Sequence, residues 1–293
     1  GSYQKPKELV WIFGCTIYLA MMAEGFLGYV LPYGQMSYWG AQVIISLFGA
    51  IPYIGESLEL WVRGDYYISG ITVSRFFALH VVALPLVLIA LVFLHLVALH
   101  EVGAGNPEGV DIEEHLDEDG VPLDSVPFFP YKVLNALVAI GVFMTVFSII
   151  MFFFPEGGGY FIEMANFQEA NPLVTPDHIA PVWYYAPFYT MLRAIPDPLG
   201  GLIVMAAAVA IFFVVPWLDR SKVASIRYKG IYSKIAITMF GVSFLTLGYL
   251  GTVGVTEVRK TMSVICTIIY FAYFLLMPIY TKYETTKEVP ERL

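Results

Sequence analysis

Phe76-Phe-Ala-Leu-His80-Val-Val-Ala-Leu-Pro85-Leu-Val-Leu-Ile-Ala90-Leu-Val-Phe-Leu-His95-Leu-Val-Ala-Leu99 decides the fold class. The run contains no Asp, Glu, Lys or Arg. An α-helix rises about 1.5 Å per residue, so about 20 apolar residues cross the hydrocarbon core of a bilayer. This run is longer than that, and charge returns only outside it, at Arg75 and Glu101. It is a membrane-spanning helix that carries two imidazoles.

Five further stretches meet the same criterion. They are Leu9–Leu31, with Glu24 as its one charge, and the uncharged Val133–Phe154, Leu199–Leu218, Ile235–Thr252 and Met262–Tyr280. Composition agrees: 58% of the 293 residues are hydrophobic and 14% are charged, against about 25% charged in soluble domains. The expected class is an all-α membrane protein with about six transmembrane helices. The net charge of −8 comes largely from an acidic loop at 108–125, where His115 is expected to be solvent-exposed, and no basic nucleic-acid footprint is present. Cys15 and Cys266 both fall inside apolar segments, as small core residues do.

Alternation of the six spans puts the N-terminus, the loops at 101–132 and 219–234 and the C-terminus on one side. That side collects 11 Lys and Arg residues, and the other side 5. Positively charged loops stay cytoplasmic, so both termini are expected there. The outer loops, 32–71 and 155–198, are long yet rich in Trp, Tyr, Phe and Pro. They are expected to lie in the membrane interface as amphipathic surface helices.

His80 and His95 are the candidates for chemistry. Fifteen positions at 100° and 1.5 Å each leave them roughly 60° apart around the helix and about 22 Å apart along it. Pro85 between them can bend the helix and absorb the mismatch. A polar group inside a bilayer is costly and needs a reason. Interhelical hydrogen bonding is one, and axial ligation of haem iron at two depths is the other. Gly14 and Gly28 on the first span are fourteen residues apart, close to the histidine spacing. Glycine lets backbone approach a flat ring closely, although helix–helix packing is an alternative use.

The motifs around these residues resemble the cytochrome b family of the quinol–cytochrome c oxidoreductase (cytochrome bc) complex. Ser74-Arg75-Phe-Phe-Ala-Leu-His80 and His95-Leu-Val-Ala-Leu-His100-Glu101 look like that family's fourth helix, D. Gly28-Tyr-Val-Leu-Pro-Tyr33-Gly-Gln-Met-Ser-Tyr-Trp-Gly40-Ala41 is similar to the end of helix C and the surface helix after it. Asn171-Pro-Leu-Val-Thr-Pro-Asp-His178-Ile-Ala-Pro181-Val182-Trp183-Tyr184 resembles the loop between helices E and F, and Met191 to Pro196 with Leu199-Gly-Gly201 continue it. The likeness runs along essentially the whole chain, as helices C to H. Gly1-Ser2-Tyr3 resembles the stretch just after helix B, so helices A and B, which carry the other axial histidines, are expected to lie in a further segment or another chain. The resulting division is residues 1–100 (the C-terminal part of the haem bundle), 101–130 (the acidic cytoplasmic loop) and 131–293 (the family's C-terminal domain).

The resemblance implies two b-type haems, each with one axial histidine from this chain. His80 would hold the low-potential haem near the outer face and His95 the high-potential haem near the inner face. Gly14 and Gly28 would flank them, and Arg75 would pair a propionate or, alternatively, a lipid phosphate. An outer quinol site would be lined by Phe26, Tyr29, Gly40, Ala41, Ile44, Pro181, Trp183, Tyr184, Tyr185 and Tyr189, and His100 would contact an inner quinone. The family usually has Glu where Val182 stands. Glu24, one turn before Gly28, is the expected substitute for that carboxylate, with Tyr184 as the other catalytic residue; a hydrogen bond from Glu24 to a helix neighbour is the alternative. Asp is usual at the start of helix E, where Lys132-Val133-Leu-Asn135 stands.

The implied activity is quinol oxidation outside, quinone reduction inside and electron transfer through the two haems, with a contribution to the proton gradient in a respiratory or photosynthetic chain. Ubiquinone or another quinone is the implied substrate. The implied partners are a Rieske-type iron–sulfur protein, a membrane-anchored c-type cytochrome and a second copy of the complex, in a bacterial plasma membrane. Two rivals are a dehydrogenase or hydrogenase cytochrome anchor, which leaves the Pro-Val-Trp-Tyr loop unexplained, and a transporter, for which no internal repeat is visible.

Overall fold

A computed structural model describes residues 1–159, 162–177 and 179–293. His178 of the quoted loop lies outside the described residues. The described residues form helices and no β-strand, with two isolated bridges between extended residues. Six helices are long and apolar enough to cross a membrane. They are α1 (Glu8–Val30), α4 (Gly70–Val102), α5 (Val133–Phe153), α7 (Pro198–Leu218), α8 (Ile231–Gly251) and α9 (Glu257–Leu275). Shorter helices are α2 (Gln35–Ser46), α3 (Gly55–Arg63), α6 (Ala186–Ala194) and α10 (Met277–Tyr283). The short helices α2, α3 and α6 occupy the two outer loops, as their aromatic sequences predict.

One packing unit is α1 against α4. The second gathers α6, α7, α8 and α9 around Phe188, Met191, Ala208, Leu247, Tyr270 and Phe274. Within it, helices approach where side chains are smallest: a Cβ on Gly251 would sit 2.4 Å from the Ala186 carbonyl oxygen. Two hydroxyls there are satisfied by carbonyls inside the protein, as a bilayer demands. Tyr270 Oη donates to the Ala208 carbonyl at 2.7 Å and Thr190 Oγ1 to that of Leu247 at 2.7 Å. α5 buries no residue, and its apolar side chains face outward all round.

The outer loops are stitched together. Ser37 Oγ donates to Asn166 Oδ1 at 2.8 Å, and the Asn171 amide donates to Gln35 Oε1 at 2.7 Å. On the opposite side a buried ion pair joins Lys229 to Asp219, and Tyr3 Oη donates to the same carboxylate at 2.7 Å. Burial alone would raise the Asp219 pKa, but hydrogen bonds and charge from Lys229, with help from Tyr3, hold it below the ordinary carboxylate value. His115 differs from expectation. The chain doubles back there, the Leu123 amide donating to the His115 carbonyl at 2.9 Å, and the ring is half-buried.

Candidate functional site

Near the outer end, α1, α2, α6 and α7 enclose a cavity of about 510 Å³ together with residues 179–182. That volume falls within the range of small-ligand sites. Eight residues expected there line it: Phe26, Tyr29, Gly40, Ala41, Ile44, Pro181, Tyr185 and Tyr189. Met205, Ala206, Val209 and Phe213 of α7 form a wall that the sequence reading did not include. No Asp, Glu, Lys or Arg lines the cavity among the described residues. Val182 is in its wall. It is an apolar slot with three tyrosines, Tyr29, Tyr185 and Tyr189, in its wall.

Two expected lining residues lie outside it. Trp183 is 69% exposed and Tyr184 40% exposed. The reason is local: the Tyr185 amide donates to the Val182 carbonyl at 2.9 Å, a turn that opens α6. Through this turn Tyr185 takes its place in the cavity wall, Trp183 is left exposed, and the Tyr184 hydroxyl reaches α1 beside Tyr185, 3.0 Å from where a Cβ on Gly25 would sit. Tyr185 Oη donates to the Met22 carbonyl, pinning α6 to α1. Burial, followed by the neighbouring Tyr184, raises the Tyr185 pKa, so the phenol stays protonated. Arg193 sits 4.4 Å above the Tyr189 ring and donates to the Leu250 carbonyl at 2.9 Å.

The histidines face α1. A Cβ on Gly28 would lie 2.4 Å from His80 Cε1, and one on Gly14 would lie 3.5 Å from His95 Cε1. Each imidazole therefore rests over a glycine, at two depths of the same helix pair. A π-helical turn, Leu79–Ala83, precedes Pro85, with the Leu84 amide bonding to Leu79. Such a turn holds about one residue more than an α-turn and takes rotation out of the helix. It and Pro85 interrupt the regular helix that would otherwise leave the two histidines roughly 60° apart.

The two rings differ in their partners. His80 Nδ1 lies 3.0 Å from the Glu24 carbonyl oxygen and 3.0 Å from Glu24 Oε1. With Nδ1 so engaged, Nε2 is the nitrogen left for a metal. His95 Nδ1 is buried with no hydrogen-bond partner. Glu24 thus turns away from the cavity, to whose lining it does not belong. The hydrogen bond to a helix neighbour, set beside the proton-acceptor role in the sequence, is the one formed here. Arg75 Nη1 donates to the Trp61 carbonyl at 2.9 Å, and His100 is exposed. Among the described residues no three His, Cys, Asp or Glu side chains gather into a metal site. The arrangement fits haem with one axial imidazole per iron: free ligand nitrogens, glycines beneath the rings and apolar surroundings.

Comparison with known proteins gives one consistent result. The family described as cytochrome b(N-terminal)/b6/petB matches residues 1–187, and cytochrome b(C-terminal)/b6/petD matches residues 169–271. Cytochrome b of Allochromatium vinosum is 54% identical over 301 residues, spanning 100% of this chain and 72% of that one. Cytochrome b of Rickettsia bellii is 46% identical over 294 residues, covering 100% and 70%. Among solved structures, a chain of a hyperthermophilic respiratory Complex III superposes with a TM-score of 0.87 at 33% identity, covering 97% of this chain and 72% of that one.

Proposed function

This chain belongs to the cytochrome b family, the multi-pass, haem-bearing electron-transport subunit of bc complexes such as the oxidoreductase respiratory Complex III, and on that premise we propose that it oxidises quinol in the cavity beside α1 and hands electrons to two b-type haems held by His80 and His95. One observation carries the reading. Met22, Phe26 and Tyr29 of α1 line the cavity, while Glu24 and Gly28 of the same helix meet His80. A single helix, about 10 Å across with its side chains, separates the substrate slot from the nearer ligand. When bound, the haems supply one-electron redox chemistry.

The residues of this chain position the reactants. Phe26, Ile44, Pro181 and the α7 wall make a flat apolar slot that excludes water. Tyr185, whose hydroxyl hydrogen goes to the Met22 carbonyl, can accept a hydrogen bond from a quinol hydroxyl but is no base. Glu24 enters the reaction through His80, and Tyr184 stands behind Tyr185, with ring centroids 4.6 Å apart. Gly14 and Gly28 leave room beside the imidazoles, and Arg75, exposed and bonded to the Trp61 carbonyl, would pair an acidic group of the haem. His100 would meet quinone at the inner face, completing a cycle that releases protons outside and adds to the proton gradient.

The surrounding assembly follows from the same reading. A Rieske-type protein would take the other electron and pass it to a membrane-anchored c-type cytochrome, in a dimeric complex of a bacterial plasma membrane with both ends of this chain cytoplasmic. Residues 1–100 form the haem-facing part, 101–130 the acidic loop and 131–293 the remaining helices.

Replacement of each histidine tests this. His80→Leu and His95→Leu should each abolish one of two b-type signals in the reduced-minus-oxidised spectrum of the native complex. Retention of both signals in either variant would refute the ligand assignment.

A further inference from the structure

We propose that Glu24 is a positioning residue for His80 that sets the two haem sites apart in redox potential. The proposal rests on the reading of His80 as an axial ligand. It goes further in giving a role to the carboxyl group that faces the ligand's other nitrogen.

The observation is an asymmetry on an otherwise repeated scaffold. Gly28 lies beneath His80 and Gly14 beneath His95. Four residues before Gly28 stands Glu24, and four residues before Gly14 stands Val10. Glu24 offers His80 Nδ1 two oxygens at 3.0 Å, its carbonyl and Oε1. His95 Nδ1 is buried without any partner. Two like ligands therefore sit in like cradles, and one of them carries a carboxyl group.

The physical consequence follows from the chemistry of imidazole. A carboxylate that accepts the N–H of a ligating histidine fixes the tautomer, holds the ring plane and raises the basicity of the ligating nitrogen. Hydrogen bonding around the axial ligand is one of the means by which a protein tunes haem potential. A more basic ligand favours the ferric state, so the His80 site is held at lower potential than the His95 site. An acidic side chain within a transmembrane helix is expensive. Glu24 Oε2 is buried with no partner of its own, which adds to that cost without serving helix packing.

The test uses the native complex at one fixed pH. Glu24→Gln keeps the size and an acceptor oxygen but removes the carboxyl group; Glu24→Leu removes the side-chain acceptor and leaves the main-chain one. Potentiometric titration of the haem bands reports each potential, and the low-spin EPR signals report ring orientation. The expected result is retention of both haems, a rise in potential of the His80 haem alone in both variants, and an altered EPR signal for that haem in Glu24→Leu. Unchanged potentials, or equal shifts in both haems, would overturn the role of Glu24 while leaving the ligand assignment standing. Retention of both haems in His80→Leu, measured alongside, would instead remove the premise. Should Glu24→Leu fail to assemble, Glu24→Gln decides.

Discussion

Substituting alanine at Gly28 and at Gly14 should give opposite results, and the structure supplies the magnitude. An added Cβ at Gly28 would stand 2.4, 2.9 and 3.0 Å from three atoms of the His80 ring. Carbon atoms rest about 3.5 Å apart at contact, so the ring must retreat by about 1 Å. It cannot do so freely, because Nδ1 is held by two oxygens of Glu24. Breaking a hydrogen bond costs about 0.5–1.5 kcal/mol. Loss of the outer partner of a metal-binding histidine typically costs about 10–100-fold in affinity. Gly28→Ala should therefore lose or severely weaken one haem. At Gly14 the added Cβ meets His95 Cε1 at 3.5 Å, ordinary contact, so Gly14→Ala should keep both haems. Haem content per complex and the redox difference spectrum of native membranes measure this. Full occupancy with unchanged bands in Gly28→Ala would refute the reasoning that His80 is confined between Gly28 and Glu24.

Two further outcomes follow from other parts of the molecule. Ala206→Phe fills the cavity from the α7 wall; quinol oxidation should fall at least about 10-fold, the equivalent of 1.4 kcal/mol, while haem spectra stay unchanged, and an unaffected rate would remove α7 from the site. Asp219→Asn leaves Lys229 buried and unpaired, a change that typically costs about 3–5 kcal/mol, readable as a lowered thermal transition of the purified complex. The wild-type pair also sets a pH dependence. Because the folded Asp219 pKa lies below its ordinary value, its contribution is present at neutral pH and is lost as pH falls through about 4 towards that lowered value. Asp219→Asn should flatten that acid limb, and an unchanged limb would contradict the assignment.

The six spans were legible because bilayer thickness and charge exclusion act on local sequence, but their ends were not. α8 begins at Ile231, ahead of the expected Ile235, because the charge on Lys234 ends the apolar run but lysine is a good helix former and does not end the helix. α9 stops at Leu275 and α10 restarts with Pro278 in its first turn, whereas hydropathy alone runs on to Tyr280. The α7 wall was invisible for a different reason. Met205, Ala206, Val209 and Phe213 share a helix face, and apolar residues on one face carry no sign of whether a helix or a ligand covers them. Linear motif order also does not say which way a turn sends each side chain, so it could not separate Tyr185, in the cavity wall, from Trp183 and Tyr184, which do not line it.

Glu24 is the instructive case, since the information needed was present in the helical repeat. Taking 100° per residue and setting Glu24 at zero, Gly28 falls at about 40° and Gly14 at about 80°. Phe26 falls at about 200°, Tyr29 at about 140°, Met22 at about 160° and Leu19 at about 220°. The glycines and the acid share one face of α1, and the cavity-lining residues take the opposite one. A cost argument says only that a carboxyl group in a bilayer must have a partner. The angular argument says which partner it can reach, and it selects the imidazole over the quinol slot. α1 is in this sense two-sided: one face shapes the substrate cavity and the other governs the ligand beside it. A substitution on the cavity face should therefore alter the rate and spare the haem potentials, whereas one on the glycine face should alter the potential and change the rate only through it, which is why rate and haem potential must be measured on the same variants.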